Sequence, residues 1–241
     1  MRRERVNLAL IGSLLVALAT PSLASDPPDP CAHLPQHAFF VNDQMNRNSV
    51  VFKSTAPLED IIGTTGQIVG YMVFDPANPG KGGHGLFSVP VAGLETGIPL
   101  RDEHMRGEGW LDATTHPEIT FRIDALSDIT TVTAASEAQT YDVVARGEFT
   151  LRGITKAVAV QGRITYLKAS DATAKRLPGD ILAARARFTV TLADFGITGP
   201  AGMGVIGSKV GETVDVEISV MGSTASPAPA SYPCPVDGTT K

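Results

Sequence analysis

Tyr141-Asp142-Val143-Val144-Ala145-Arg146-Gly147-Glu148-Phe149-Thr150-Leu151, followed by Arg152-Gly153, is the stretch that decides the fold. Tyr141, Val143, Ala145, Gly147, Phe149 and Leu151 alternate with a mostly polar set that includes Asp142, Arg146, Glu148 and Arg152. Successive side chains of an extended chain point to opposite faces, so these residues form one long strand with a dry side and a wet side. A strand of this length fits a tilted barrel better than a small sandwich.

The same period of two recurs on both sides of it. Upstream, Val50, Phe52 and Ser54 alternate with Val51, Lys53 and Thr55. Ile68, Gly70, Met72 and Phe74 share a face, as do Ile119, Phe121 and Ile123. Downstream, Val158, Val160, Ile164 and Tyr166 form a face. Leu182, Ala184, Ala186, Phe188, Val190 and Leu192 oppose Arg185, Arg187, Thr189 and Thr191. Val214, Val216, Ile218 and Val220 close the series. Turn formers separate the runs, as in residues 75–80, Arg152-Gly153 and Pro178-Gly179-Asp180. Only residues 100–109, roughly, read as helix. Many antiparallel strands with one wet face close into an all-β barrel or sandwich, and strand length favours the barrel.

The dry faces mix bulk with very small residues: Gly70, Ala145, Gly147, Gly162, Ala184 and Ala186. Small inward residues either keep space for a ligand or let side chains interdigitate where a barrel narrows, and composition leaves both readings open.

The chain ends are of another kind. Arg2, Arg3 and Arg5 precede an apolar run over residues 6–19, then Pro21 and Ser22-Leu23-Ala24. That is the layout of a signal peptide cut after Ala24 and implies a periplasmic or secreted protein. Residues 25–37 form a Pro-rich lead-in, 38–222 the barrel domain and 223–241 a low-complexity tail. Cys31 and Cys234 lie in the two tails. An oxidising compartment and an even count predict a disulfide between them, closing a loop of roughly 200 residues and contributing up to about 5 kcal/mol. The formal net charge is −5, with no basic stripe, which argues against nucleic acid as a partner.

Motifs for chemistry are few. Gly80-Lys81-Gly82-Gly83-His84-Gly85 and Gly202-Met203-Gly204-Val205-Ile206-Gly207 match G-x-G-x-x-G. Each leads into a strand, whereas a dinucleotide site needs a helix N-terminus there. Asp102, His104 and His116 could serve as an acid–base or metal set. The two histidines are too far apart in sequence for a common zinc pattern, so a structural Arg101–Asp102 pair is the simpler expectation, with no metal and no catalytic residue.

Those same residues carry a resemblance. Leu94-Glu95-Thr96-Gly97, Arg101-Asp102-Glu103-His104-Met105, Trp110-Leu111-Asp112-Ala113 and His116-Pro117-Glu118-Ile119-Thr120-Phe121 resemble the signature of the YceI-like family. So do residues 147–156, Asp194-Phe195-Gly196-Ile197 and Val210-Gly211-Glu212-Thr213-Val214. The resemblance covers about residues 38–221. It implies an extended eight-stranded, lipocalin-like antiparallel barrel with a short helix near one end, exported, holding a polyisoprenoid or related amphiphile inside. Ala56 stands where many members carry His, and Thr65 and Ile68 where aromatics are common.

The leading expectation is therefore a carrier without a cofactor of its own. The apolar ligand lies against Phe52, Met72, Phe74, Phe121, Phe149, Tyr166 and Phe188, with Ala184 and Ala186 leaving it room. Arg101, Asp102 and His104 secure the mouth helix. The expected partner is a lipid-like ligand, with transient membrane contact and a homodimer left open. The rivals are an enzyme built on Asp102, His104 and His116, and a module whose barrel is full.

Overall fold

A computed structural model describes residues 37–225 apart from Gln44, Ala201 and Met203. The leader, Cys31 and Cys234 lie outside the described residues. The strands are β1 (Ala38–Asn42), β2 (Ser49–Thr55), β3 (Asp60–Thr65), β4 (Val69–Phe74), β5 (Gly83–Pro90), β6 (Glu118–Ala134), β7 (Ala138–Leu151), β8 (Ile154–Leu167), β9 (Ile181–Thr191) and β10 (Thr213–Ser223). Among the described residues two α-helices accompany them, α1 (Pro99–Arg106) and α2 (Asp171–Ala174), with three short 3-10 turns.

These strand segments make an eight-stranded closed barrel. β1 and β2 both pair antiparallel with the same edge of β10, β1 through Phe40 opposite Ser223 and β2 from Ser49 opposite Ser219. They are two halves of one interrupted strand. β3 pairs with β2 and β4 with β1, so these two are likewise halves of the next strand. The ring then runs β4, β5, β6, β7, β8, β9, β10 and returns to β1. Closure removes most of the unpaired edges that an open sheet would expose, the outer edge of β3 excepted. At the interruption, Asn48 is buried and its Oδ1 accepts from the Met221 amide at 2.9 Å, supplying an acceptor where the ladder breaks off.

The long hairpin β6–β7 is the widest part of the sheet. β6 runs on to Ala134, well past the Ile123 at which its simple alternation stops, because register shifts at Ile123/Ala125, Ser127/Thr130 and Thr131/Thr133 reset the period. β7 and β8 meet at a two-residue turn in which Arg152 (φ 49°) and Gly153 (φ 71°) are both left-handed, the geometry that matches strand twist. The helix predicted near 100–109 is α1, ended at Gly107. The one-turn α2, not read from the sequence, is held by a capping box between Ser170 and Thr173.

The two ends of the barrel differ. At one end, where the 135–137 turn and the 168–180 loop lie, Phe39, Phe74, Tyr141, Ile164, Tyr166 and Leu182 are buried against one another. Phe39 meets Tyr166 edge-on at 6.3 Å and Phe74 meets Tyr141 at 5.5 Å. The Tyr166 hydroxyl donates to Asp180 Oδ2 at 2.9 Å, and Asp180 is tied to Thr224 by its amide and carbonyl. Burial, with the Asp180 carboxylate beside it, pushes the Tyr166 phenol up to about 12. The opposite end is where β5 leaves the sheet at Pro90, the chain crosses through α1, and β6 enters at Glu118.

Candidate functional site

Inside the second half of the barrel the alternation encloses space. Inward side chains of β9 and β10, Ala184, Ala186, Phe188, Val214, Val216 and Ile218, are only half-buried although they face away from the outer solvent. They line a cavity of about 1250 Å³ whose walls are overwhelmingly apolar. That volume exceeds the roughly 300–1,000 Å³ of ordinary small-molecule pockets. Most polar residues of the lining, among them Glu59, Arg101, Glu103, His104, Arg152 and Lys209, come from the loops and helix at the open end, while Ser54, Thr120 and Arg185 stand on strands.

The structure sorts the residues singled out in the sequence. Phe52, Met72, Phe121, Phe149, Ala184, Ala186 and Phe188 all border the cavity. Phe74 and Tyr166 do not; they sit in the packed end, Phe74 with no exposed surface at all. Of the small residues, Ala145, Gly162, Ala184 and Ala186 line the void. Gly70 and Gly147 are small for a different reason. A Cβ on Gly147 would come within 1.9 Å of the Arg122 carbonyl oxygen, and one on Gly70 within 2.4 Å of the Leu86 carbonyl oxygen. Close backbone approach excludes a side chain there. Trp110, Leu111 and Val205, noted in the sequence only as parts of motifs, also border the cavity and come from the loops at the open end. Loop residues have no period to reveal which way they face.

The open end is capped by residues 91–117, pinned at several points. Val91 and Leu94 are buried anchors. Gly97 takes φ 78°, and Pro99 opens α1 at a position where the missing amide costs nothing. Asp102, 7% exposed, accepts from the Thr96 amide at 2.7 Å and the Thr96 hydroxyl at 2.6 Å. Those bonds, with the charges of Arg106 and Arg101, hold its carboxyl below the ordinary aspartate value. Arg106 donates to the Leu94 carbonyl at 2.8 Å. Arg101 does not rely on Asp102: its salt bridge runs to Glu59 in the β2–β3 turn, at 2.9 Å. The expected Arg101–Asp102 pair is thus replaced by two separate tethers, because adjacent helical residues diverge and each meets a different neighbour.

The acid–base set is not assembled. Asp102 is engaged by Thr96, His104 is exposed, and the His116 ring lies against the Arg152-Gly153 turn, where a Cβ on Gly153 would meet it at 2.5 Å. Among the described residues no group of three or more metal-ligating side chains comes together. Arg152 spans the mouth loops by donating to the Gly196 carbonyl at 2.6 Å and the Glu108 carbonyl at 3.0 Å. These contacts build a rim and leave the chamber below it apolar.

Closed topology, an apolar chamber and a helix across its mouth define a hollow eight-stranded barrel of the lipocalin-like kind. The chain belongs to the YceI-like family, whose domain model matches residues 40–221. A UPF0312 protein of Pectobacterium carotovorum is 27% identical over 144 residues, spanning 58% of this chain and 67% of the relative. Among solved structures, Burkholderia cenocepacia BcnA superimposes with a TM-score of 0.56 at 19% identity, over 75% of this chain and 98% of that one. A polyisoprenoid binding domain from Saccharophagus degradans, implicated in plant cell wall breakdown, gives a TM-score of 0.50 at 13% identity, over 80% and 99%. At these identities the likeness shows the shared fold.

Proposed function

We propose that the protein is an exported carrier that holds an apolar or amphiphilic molecule of the polyisoprenoid class in its barrel, and that it is not an enzyme. The observation that carries this reading is the cavity of about 1250 Å³, lined mainly by apolar side chains and running inward from the open end of a closed barrel. Transfer of an apolar chain into such a space gains about 25 cal/mol per Å² of area removed from water. A flexible, unbranched or regularly branched chain suits walls that are mostly apolar, and the polar rim suits a head group left near water. The Saccharophagus domain named for polyisoprenoid binding shares the fold and supports the same class here. The leader, and a Cys31–Cys234 disulfide in the oxidised compartment, belong to the same reading.

One experiment tests all of it. The full chain, expressed with its leader in a Gram-negative host, is recovered from the periplasm and measured by native mass spectrometry, and its organic extract is analysed. The expected result is a mature chain beginning near Ser25, two hydrogens lighter than its reduced form and carrying a prenyl lipid. An extract free of lipid, with no uptake of added prenyl alcohol by the apo-protein, would sink the carrier reading.

A further inference from the structure

The barrel is not sealed evenly at its open end. Among the described residues β3 has no strand on its outer edge, where the antiparallel bridge between Thr64 and Glu95 joins it to the crossing segment. The wall of the cavity between β3 and β6 is therefore a single layer of chain, the 91–117 segment with α1. Ile61 of β3 faces inward and lines the cavity, while Ile62 faces out and is 56% exposed. Ile98 and Leu100, at the start of α1, are 46% and 62% exposed, and Leu58, in the β2–β3 turn, is 71% exposed. The Thr64–Glu95 bridge and the Arg101–Glu59 salt bridge hold the segments that carry these four residues side by side. The other large apolar side chains that are well exposed, Met45, Val132 and Ile154, stand on separate elements, and the outer faces of β7 to β10 carry ion pairs such as Arg163–Asp142 and Arg187–Glu217.

From this we infer that Leu58, Ile62, Ile98 and Leu100 form a docking surface for a neutral lipid bilayer, through which cargo passes between the membrane and the cavity behind α1. The inference rests on the carrier reading. An apolar patch next to a one-layer wall places the chamber beside the phase in which a prenyl chain dissolves. The charges around the patch decide which bilayer. Lys53 pairs with Asp60 at 2.8 Å and Arg101 with Glu59 at 2.9 Å, so these two cations are already neutralised. Glu95 and Glu103 add exposed negative charge. The surface therefore suits a zwitterionic interface and is poorly matched to an anionic one.

The test uses the full exported chain and the double variant Leu58→Ser/Leu100→Ser, at exposed positions where polar residues leave the core untouched. Protein is floated with dioleoylphosphatidylcholine vesicles, with and without added dioleoylphosphatidylglycerol. Uptake of geranylgeraniol is followed by fluorescence of Trp110, the only tryptophan, which borders the cavity. The wild type is expected to float with phosphatidylcholine, less so as phosphatidylglycerol is added. The variant's bound fraction should fall at least about tenfold, as losing two leucine side chains from an apolar contact requires. Uptake from vesicles should slow in parallel, while affinity for geranylgeraniol supplied in solution stays unchanged. A wild type that takes up the alcohol from solution but does not float, or a variant that floats equally well, overturns docking and leaves the carrier reading intact. A wild-type dimer that the variant converts to monomer, without flotation, overturns it too, because a second copy then covers the patch. Flotation without any alcohol uptake overturns the carrier reading and leaves membrane docking standing.

Discussion

The two ends of this barrel are made from the same strands with the same alternation, yet one is packed and the other opens onto a cavity. β9 shows it within a single element: Leu182, buried near Tyr166, belongs to the closed end, while Ala184 and Ala186 open onto the cavity. In β8, Tyr166 fills the closed end, whereas Ile164 and Gly162, the latter opposite Ala186, border the void. Strand geometry sets which face points inward; the summed volume of side chains in each layer sets whether the inside is solid. Aromatic edge contacts and the Tyr166–Asp180 hydrogen bond make the closed end rigid. The hollow end gives up that packing energy and keeps a chamber instead.

If that contrast is right, equal truncations should cost unequal amounts. Phe74→Ala in the packed end should destabilise by about 3–5 kcal/mol, since it leaves a sealed void. Phe121→Ala, on the cavity wall, should cost only about 1–2 kcal/mol, because the space beside it is already open. Urea denaturation of the two variants, delipidated, measures both; similar costs would erase the distinction between the ends.

Enlargement should show the opposite sensitivity. Ala186→Phe places a ring in the chamber rather than in a solid core, where overpacking typically costs about 1–3 kcal/mol. It should lower stability by less than about 1 kcal/mol and weaken geranylgeraniol binding by more than about tenfold, read by titration of Trp110 fluorescence. A steep loss of stability with unchanged binding would mean that Ala186 belongs to packed core.

The smallest effect is expected in alkali and belongs to the packed end alone. A phenol whose folded value is raised favours folding while it is neutral. The Tyr166 contribution is therefore complete below pH 10.0, its ordinary value, and is lost as pH rises toward about 12. Tyr166→Phe should be less stable than wild type by about 1 kcal/mol at neutral pH, since Asp180 loses its donor. It should also lose stability less steeply between those pH values than wild type does. Parallel slopes for the two proteins would remove Tyr166 from the linkage.

The sequence by itself determined the all-β class, the dry and wet face of each strand, the single mouth helix and the family. Those follow from local rules: a period of two, turn residues with left-handed backbone, and motif spacing. It also placed Phe52, Phe121, Phe149, Phe188, Ala184 and Ala186 on the faces that line the cavity, because a face is a property of one strand. Only the tertiary structure decided that Phe74 and Tyr166 belong to a plug and not to the cavity wall. The same holds for Gly70 and Gly147, small because a neighbouring carbonyl oxygen leaves no room, and for Arg101, which reaches Glu59 rather than Asp102. The physical reason is common to all three. Depth along the barrel axis, distance to the next strand's backbone and the partner of a charged side chain depend on how far separate strands slide past one another, and that register is written in pairings between residues distant in the chain.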